Sequence, residues 1–232
     1  MNLASIKDGL KKARKLLKEA NLLRTTNEIN YRELSPSKFS NEFFQVSQDS
    51  DYRGIYKTAL ERRDYDFLLE DLSFLQFSCE ITDNSNPTCR YAYYEAASYF
   101  PTYEEFLDEL NFSYDECGDT LFEEYEQALD ESRLKSSVTP MRYDYDEKLY
   151  EPPFHPVAHL HIGSGNDVRL PLSYRMPPHA FVAFVIRHAY WKQWKQLMVN
   201  DNFRDIYQVK NQCHPLDSRF FSNDEKLDFY IF

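Results

Sequence analysis

The chain reads as an α+β protein: a mostly antiparallel sheet of about five to six strands packed with helices, preceded by an N-terminal amphipathic helix. Three observations lead there. Short aromatic and aliphatic runs (Tyr65–Glu70, Leu72–Glu80, Met141–Asp146) follow one another, separated by acidic or turn residues. Helical spacing of apolar residues comes in separate blocks, without the regular strand–helix–strand alternation that builds a parallel sheet. The hydrophobic share is only 42%, but 18 Tyr, 18 Phe and 2 Trp give the core large rings to bury, unlike a disordered chain.

Residues 5–24 predict the first helix. Ile6, Leu10, Ala13, Leu17 and Ala20 recur at helical spacing with lysines opposite, and Ser5 followed by Asp8 offers a start signal. A shorter helix is expected over 37–47, burying Phe39, Phe43 and Phe44. Tyr52–Leu60 suits a helix or a strand. Tyr65–Glu70 and Leu72–Glu80 read as a hairpin, and Cys89–Ser98 as a third strand. Residues 103–132 predict two acidic helices broken near Gly118. Met141–Asp146 alternates, with Met141, Tyr143 and Tyr145 on one face and Arg142, Asp144 and Asp146 on the other. His179–Asn200 is expected as one continuous helix with His188 in the core, and Lys226–Phe232 as an edge strand. Residues 1–232 are expected to form a single domain, with 1–50 a helical N-terminal extension.

The formal net charge is −11, so the mean field does not draw the chain to nucleic acid. The charge is unevenly spread. Residues 1–24 carry seven basic and two acidic side chains, a local +5 that leaves −16 elsewhere, and 103–131 holds many carboxylates with no Lys or Arg. Such polarity favours a protein partner or a homo-oligomer, although two solvated helix faces account for it as simply. With five glycines there is no Gly-rich phosphate loop. The four cysteines lack CxxC spacing, which argues against a zinc knuckle or a secreted disulfide framework. No signal-like segment and no bilayer-length apolar run is present, so no membrane association and a cytoplasmic location are expected.

Three of the six histidines fall in HPVAHLHIGSGNDVRLP, residues 155–171. Ala158, Leu160 and Ile162 alternate with His159 and His161, and the return segment places Val168, Leu170 and Leu172 opposite in kind to Asp167 and Arg169. Both apolar sets must bury on one side of the sheet. That condition pairs Ile162 with Val168 and Leu160 with Leu170, with a loop of Ser164, Gly165 and Asn166. Arg169 then lies opposite His161, on the histidine face, at ~5 Å between Cβ atoms. If Met141–Asp146 pairs beside this hairpin, Arg142, Asp144 and Asp146 join the same face. His159, His161, Arg169, Asp144 and Arg142 are therefore the candidate catalytic set. Imidazoles can move protons near neutral pH, and a guanidinium can hold a phosphate, which suits binding or cleaving a phosphodiester. A divalent metal held by His159, His161 and Asp144 or Asp146 is the less favoured alternative, because spacing does not fix the third ligand. A polar strand face without function explains an HxH pair as well. His155, before Pro156, ranks second. Arg62 to Asp66 reads as a salt-bridged turn, and Trp191 and Trp194 with Lys192 and Lys195 as core rings beside solvated lysines.

Three segments, RDYDFLLEDLSFLQF (63–77), TPMRYDYDE (139–147) and HPVAHLHIGSGNDVRLP, together resemble an uncharacterised bacterial family, the domain of unknown function numbered twenty-two-ninety. PHAFVAFVIRHAYWKQW fits its pattern of a helix after the hairpin, and the resemblance covers roughly residues 50–200. The order RYD then HxH is also loosely similar to small toxins of toxin–antitoxin systems, although this chain is longer and lacks their dense run of histidines. The resemblance implies a bacterial host and a role in a genetic-conflict or phage-defence locus. It assigns no chemistry to any residue. Two functions remain: an enzyme acting on nucleic acid, which needs an open concave site over the histidine face, or a non-catalytic accessory or antitoxin-like subunit, which needs a large aromatic or acidic patch elsewhere.

Overall fold

In a computed structural model of the chain, residues 3–49, 51–80, 88–98, 102–130, 135, 137–165, 167–199 and 209–227 are described. Helix α1 (Leu3–Glu19) buries Ile6, Leu10, Ala13, Leu16 and Leu17. It starts before Ser5, so Ser5 lies within the helix and is not its cap. It ends where Asn21 turns left-handed (φ 52°). The Leu22 N–H then bonds the Leu17 carbonyl and the Asn21 N–H bonds the Lys18 carbonyl, which satisfies the last turn. The chain is thereby released into a strand, β1 (Leu23–Thr26), whose first two residues the spacing predicted as helix.

Six more strands follow: β2 (Phe67–Leu69), β3 (Phe74–Glu80), β4 (Thr88–Tyr94), β5 (Met141–Tyr145), β6 (Ala158–Ile162) and β7 (Leu170–Pro171). They pair in chain order, each antiparallel to the next, as one seven-stranded meander. The α+β class and the antiparallel sheet are as predicted, and β1 is the strand the count omitted. Alternation gives the sheet two unlike faces. Phe77, Tyr91, Tyr143 and Leu160 lie in one cross-strand row, all fully buried. Helix α8 (Pro178–Ala189) covers them through Phe181, whose ring is 6.2 Å from Phe77 and 6.0 Å from Tyr91. Helix α1 packs on α8, and Gly9 permits the approach, since a Cβ there would meet Pro178 Cδ at 2.7 Å.

Among the described residues, the opposite face is covered only at one end. Helices α3 (Asn41–Asp49) and α4 (Tyr52–Arg62) bring Phe39, Phe43, Tyr56 and Ala59 onto Phe74 and Leu68. A short helix α2 (Glu28–Arg32) and a 3-10 turn at Pro36–Lys38 precede α3, so α3 begins later than predicted, and Phe44 stays 36% exposed. A buried ion pair holds this region. Lys38 Nζ lies 2.6 Å from Asp66 Oδ1, with side chains only 2% and 0% exposed. The ammonium also donates to the carbonyls of Asn30, Glu33 and Phe77, and Asp66 Oδ2 accepts from the Phe77 N–H. Nearby, the buried Asp64 carboxylate accepts from the Ser40 N–H and hydroxyl. The predicted salt-bridged turn is thus partly inward: Arg62 pairs with Glu42 at the surface, whereas both aspartates are core.

Several elements differ from expectation. The acidic segment forms three helices, α5 (Tyr103–Glu109), α6 (Tyr114–Cys117) and α7 (Phe122–Asp130). The predicted long helix breaks at Tyr190 into α8 and α9 (Trp191–Met198), because Tyr190 is drawn back to the sheet by bonds to Asp71 (2.9 Å) and Tyr93 (3.1 Å). His188, placed in the core by pattern, is exposed and packs at a tilt against Phe184, ring centroids 4.4 Å apart. Trp194 is buried but Trp191 is 57% exposed. Helix α10 (Val209–Gln212) meets α8 through Gln212 and His179, and β8 (Tyr174–Arg175) pairs with β9 (His214–Pro215). The tail expected as an edge strand opens as helix α11 (Asn223–Leu227), and 228–232 lies outside the described residues.

Removing one partner of a buried ion pair strands the other. Lys38→Met should destabilise the fold by about 3–5 kcal/mol in urea unfolding. Adding Asp66→Asn, which keeps an acceptor for the Phe77 N–H, should restore part of that loss.

Candidate functional site

Register assembles the site. Ser78, Arg90, Asp144 and His159 form one cross-strand row on the uncovered face, and Gln76, Ala92, Arg142 and His161 form the next. Asp144 stands between the two histidines and two arginines. Its Oδ1 accepts from Arg90 Nε at 2.9 Å, and its Oδ2 from Arg142 Nε at 2.8 Å. His161 Nε2 is 3.4 Å from Oδ2 and His159 Nε2 is 3.9 Å away. Burial pushes the Asp144 carboxyl up, but the His161 hydrogen bond and the charges of Arg90 and Arg142 outweigh it and hold the group well below the usual carboxylate range.

His159 is nearly enclosed, its side chain 2% exposed. Its Nδ1 lies 2.8 Å from the Pro156 carbonyl, which can only accept, so Nδ1 carries a proton. Burial takes this imidazole down to about 4, against the opposing pull of the Pro156 carbonyl and Asp144. At neutral pH the ring is therefore uncharged, with its lone pair on Nε2, the atom nearer Asp144. His155 packs edge-on to His159 at 5.0 Å, and His159 on His161 at 4.8 Å. The buried Nδ1 of His155 has no hydrogen-bond partner among the described residues.

These groups line a cleft of about 720 Å³. Phe43, Tyr52 and Tyr94 form an aromatic wall on one side, and the Gly163–Gly165 turn with Asp167 and Arg169 forms the other rim. Gly163 and Gly165 both adopt positive φ, 89° and 66°, as a tight turn there requires. Asn166 of the predicted loop lies outside the described residues.

The predicted Leu160–Leu170 pairing is present, and β5 lies beside β6, so His159, His161, Asp144 and Arg142 come together. The expected placement of Arg169 opposite His161 is not realised within the ladder, which ends at Leu170. Arg169 stands exposed on the rim, its Nη1 3.5 Å from the Asp167 carbonyl. Val168, expected in the core opposite Ile162, is 44% exposed for the same reason. Sequence reasoning did not place Arg90 or the aromatic wall. The alternation Arg90, Ala92, Tyr94 was a signal for both, but nothing local tells which face of β4 meets Asp144.

One ligand atom from each of Asp144, His159 and His161 lies within 4.8 Å of the others, a set able to hold a metal ion. The family model described as "Uncharacterized conserved protein (DUF2290)" matches residues 16–229. The chain belongs to this family. The match takes in all seven strands of the sheet, and with them every residue of the cleft floor. Comparison with curated proteins and with solved structures finds no match. Among the described residues, no helix is long and apolar enough to cross a membrane.

Because the folded state refuses a proton that the unfolded His159 accepts, this residue adds stability above about pH 6.5, lost as pH falls towards about 4. In chelator-treated protein, urea unfolding should show lower stability at pH 5 than at pH 7, and His159→Asn should flatten that difference.

Proposed function

We propose that this chain is a cytoplasmic component of a bacterial genetic-conflict system, and that its cleft binds a nucleic-acid strand and cleaves the phosphodiester. What supports the reading most is Asp144, which gathers two arginines and two histidines on the floor of an open cleft. Arg142 and Arg169 suit the phosphate, and the half-buried Tyr52 and Tyr94 offer rings against which bases can stack. His161, 12% exposed and set against the Asp144 carboxylate, is the imidazole able to exchange protons with a bound strand. In the cleavage, a water oxygen bonds to phosphorus and the bond from phosphorus to one sugar oxygen breaks. One water proton goes to the departing sugar oxygen and the other, through His161, to solvent.

A non-catalytic accessory role rests on a different observation. The acidic helices α5 to α7 and their connections expose Leu110, Phe112, Tyr114 and Phe122 on a segment that itself carries no Lys or Arg, as suits a protein partner or a second copy of the chain.

The reading predicts that a fluorescent single-stranded oligonucleotide binds with strong salt dependence. Arg142→Ala and Arg169→Ala should each weaken binding about tenfold and lower the salt slope. His161→Ala should slow cleavage by about 100-fold or more while binding persists. A folded His159→Ala, His161→Ala double variant with full cellular activity would sink the enzymatic reading in favour of the accessory one.

A further inference from the structure

We infer that His159, His161 and Asp144 form a binding site for a divalent transition-metal ion of zinc-like ligand preference, on the cleft floor. Three features of the geometry carry this. The first is the tautomer of His159. With Nδ1–H committed to the Pro156 carbonyl, the neutral ring keeps its lone pair on Nε2, which lies 3.9 Å from the Asp144 carboxylate oxygen. Two electron-pair donors this close in a desolvated place repel, and although Arg142 already donates to that oxygen, a cation shared by both atoms would turn the repulsion into attraction. An imidazole anchored through its far N–H by a backbone carbonyl is also the usual second-shell arrangement of a metal-bound histidine.

The second feature is reach. His161 Nε2 is 3.4 Å from the same Asp144 oxygen, and all three ligand atoms lie within 4.8 Å of one another. Bonds of ~2.0–2.2 Å from two ligands to one ion place those ligands about 3–4 Å apart, so small side-chain rotations close the set. Ligation through Nε2 requires that the His161 Nε2 not carry a proton, which a change to the Nδ1–H tautomer provides. The third feature is incompleteness. Three protein ligands beside an open cleft leave a coordination position for water, the pattern of a catalytic ion rather than a structural one.

Ligand chemistry selects the ion. Two imidazoles and one carboxylate favour zinc, manganese or iron over magnesium or calcium, which take mainly oxygen. Arg90 and Arg142 already neutralise Asp144, and Arg142 shares the Oδ2 atom. Their charge weakens the ion's hold, so the site binds exchangeably. His161 Nε2 cannot hold an ion and carry a proton in the same molecule, so any role of the ion in hydrolysis would replace that of free His161 and rests on the proposed nucleic-acid reading, whereas its binding does not.

The test uses full-length protein free of any histidine tag, stripped with chelator and titrated with Zn²⁺ by calorimetry and with Co²⁺ by visible absorption. One ion per chain is expected. Asp144→Asn and His161→Ala should each weaken binding at least about tenfold, whereas His188→Ala should bind as the parent does. Far-ultraviolet circular dichroism confirms folding, and Asp144→Asn, which is isosteric, serves if His161→Ala unfolds. No uptake by the parent, or undiminished uptake by folded Asp144→Asn, overturns the inference. Oligonucleotide binding and cleavage, measured on the same stripped and loaded samples, separate the two ideas. Ion uptake without oligonucleotide binding supports the metal site and sinks the nucleic-acid reading. Cleavage by protein that takes up no ion does the reverse.

Discussion

The Lys38–Asp66 pair is the contact on which the arrangement of the polar face depends. An ammonium and a carboxylate removed from water are costly unless every donor and acceptor is met. Here the ammonium reaches the carbonyls of Asn30, Glu33 and Phe77, and the carboxylate takes the Phe77 N–H as well. These bonds tie the segment before α3 to strands β2 and β3. Phe39, next in the chain, then turns towards Phe43 and the Phe74 end of the sheet. The helices that follow cover that end and stop at the Tyr52–Tyr94 contact. The remainder of the face is left as a cleft because the covering layer is anchored at one side.

The two sides of the sheet have different tasks. Tyrosines with strongly raised pKa values, such as Tyr91 and Tyr143, fill the side under α8, where burial keeps their hydroxyls neutral. The other side collects charge. Arg90, Asp144 and His159 are neighbours in one row only because three successive strands pair without a bulge between them. A central carboxylate fixed by two guanidinium groups cannot swing away, so the histidines face an acceptor held in place by the sheet itself.

Much of this was readable from local pattern. The alternation in Met141–Asp146 gave the faces of β5 correctly, and the requirement that Leu160 and Leu170 bury together gave the hairpin parity. What was not readable involves distant partners. Lys38 is an ordinary surface residue by composition, and only its meeting with Asp66 makes it core. Arg90 and Asp144 are brought together by strands that a long helical insertion separates in sequence. Tyr190 interrupts an otherwise continuous helical pattern because Asp71, far upstream, holds its hydroxyl. The strand Leu23–Thr26 is too short to show a period, and its signal was the left-handed Asn21 before it. Val168 obeyed the pattern but not the structure, since the β6–β7 ladder ends before reaching it.

The alternation along β5 has a consequence for quality control. Tyr143 and Asp144 are adjacent, one destined for the driest part of the molecule and the other for its most polar recess. A slip of one residue in the pairing with β4 or β6 would exchange them, driving a carboxylate under α8 and a tyrosine ring into the cleft. A one-residue slip is therefore rejected by the core itself, whereas a two-residue slip keeps the faces but parts Asp144 from Arg90 and His159, so the polar constellation forms only in the correct register.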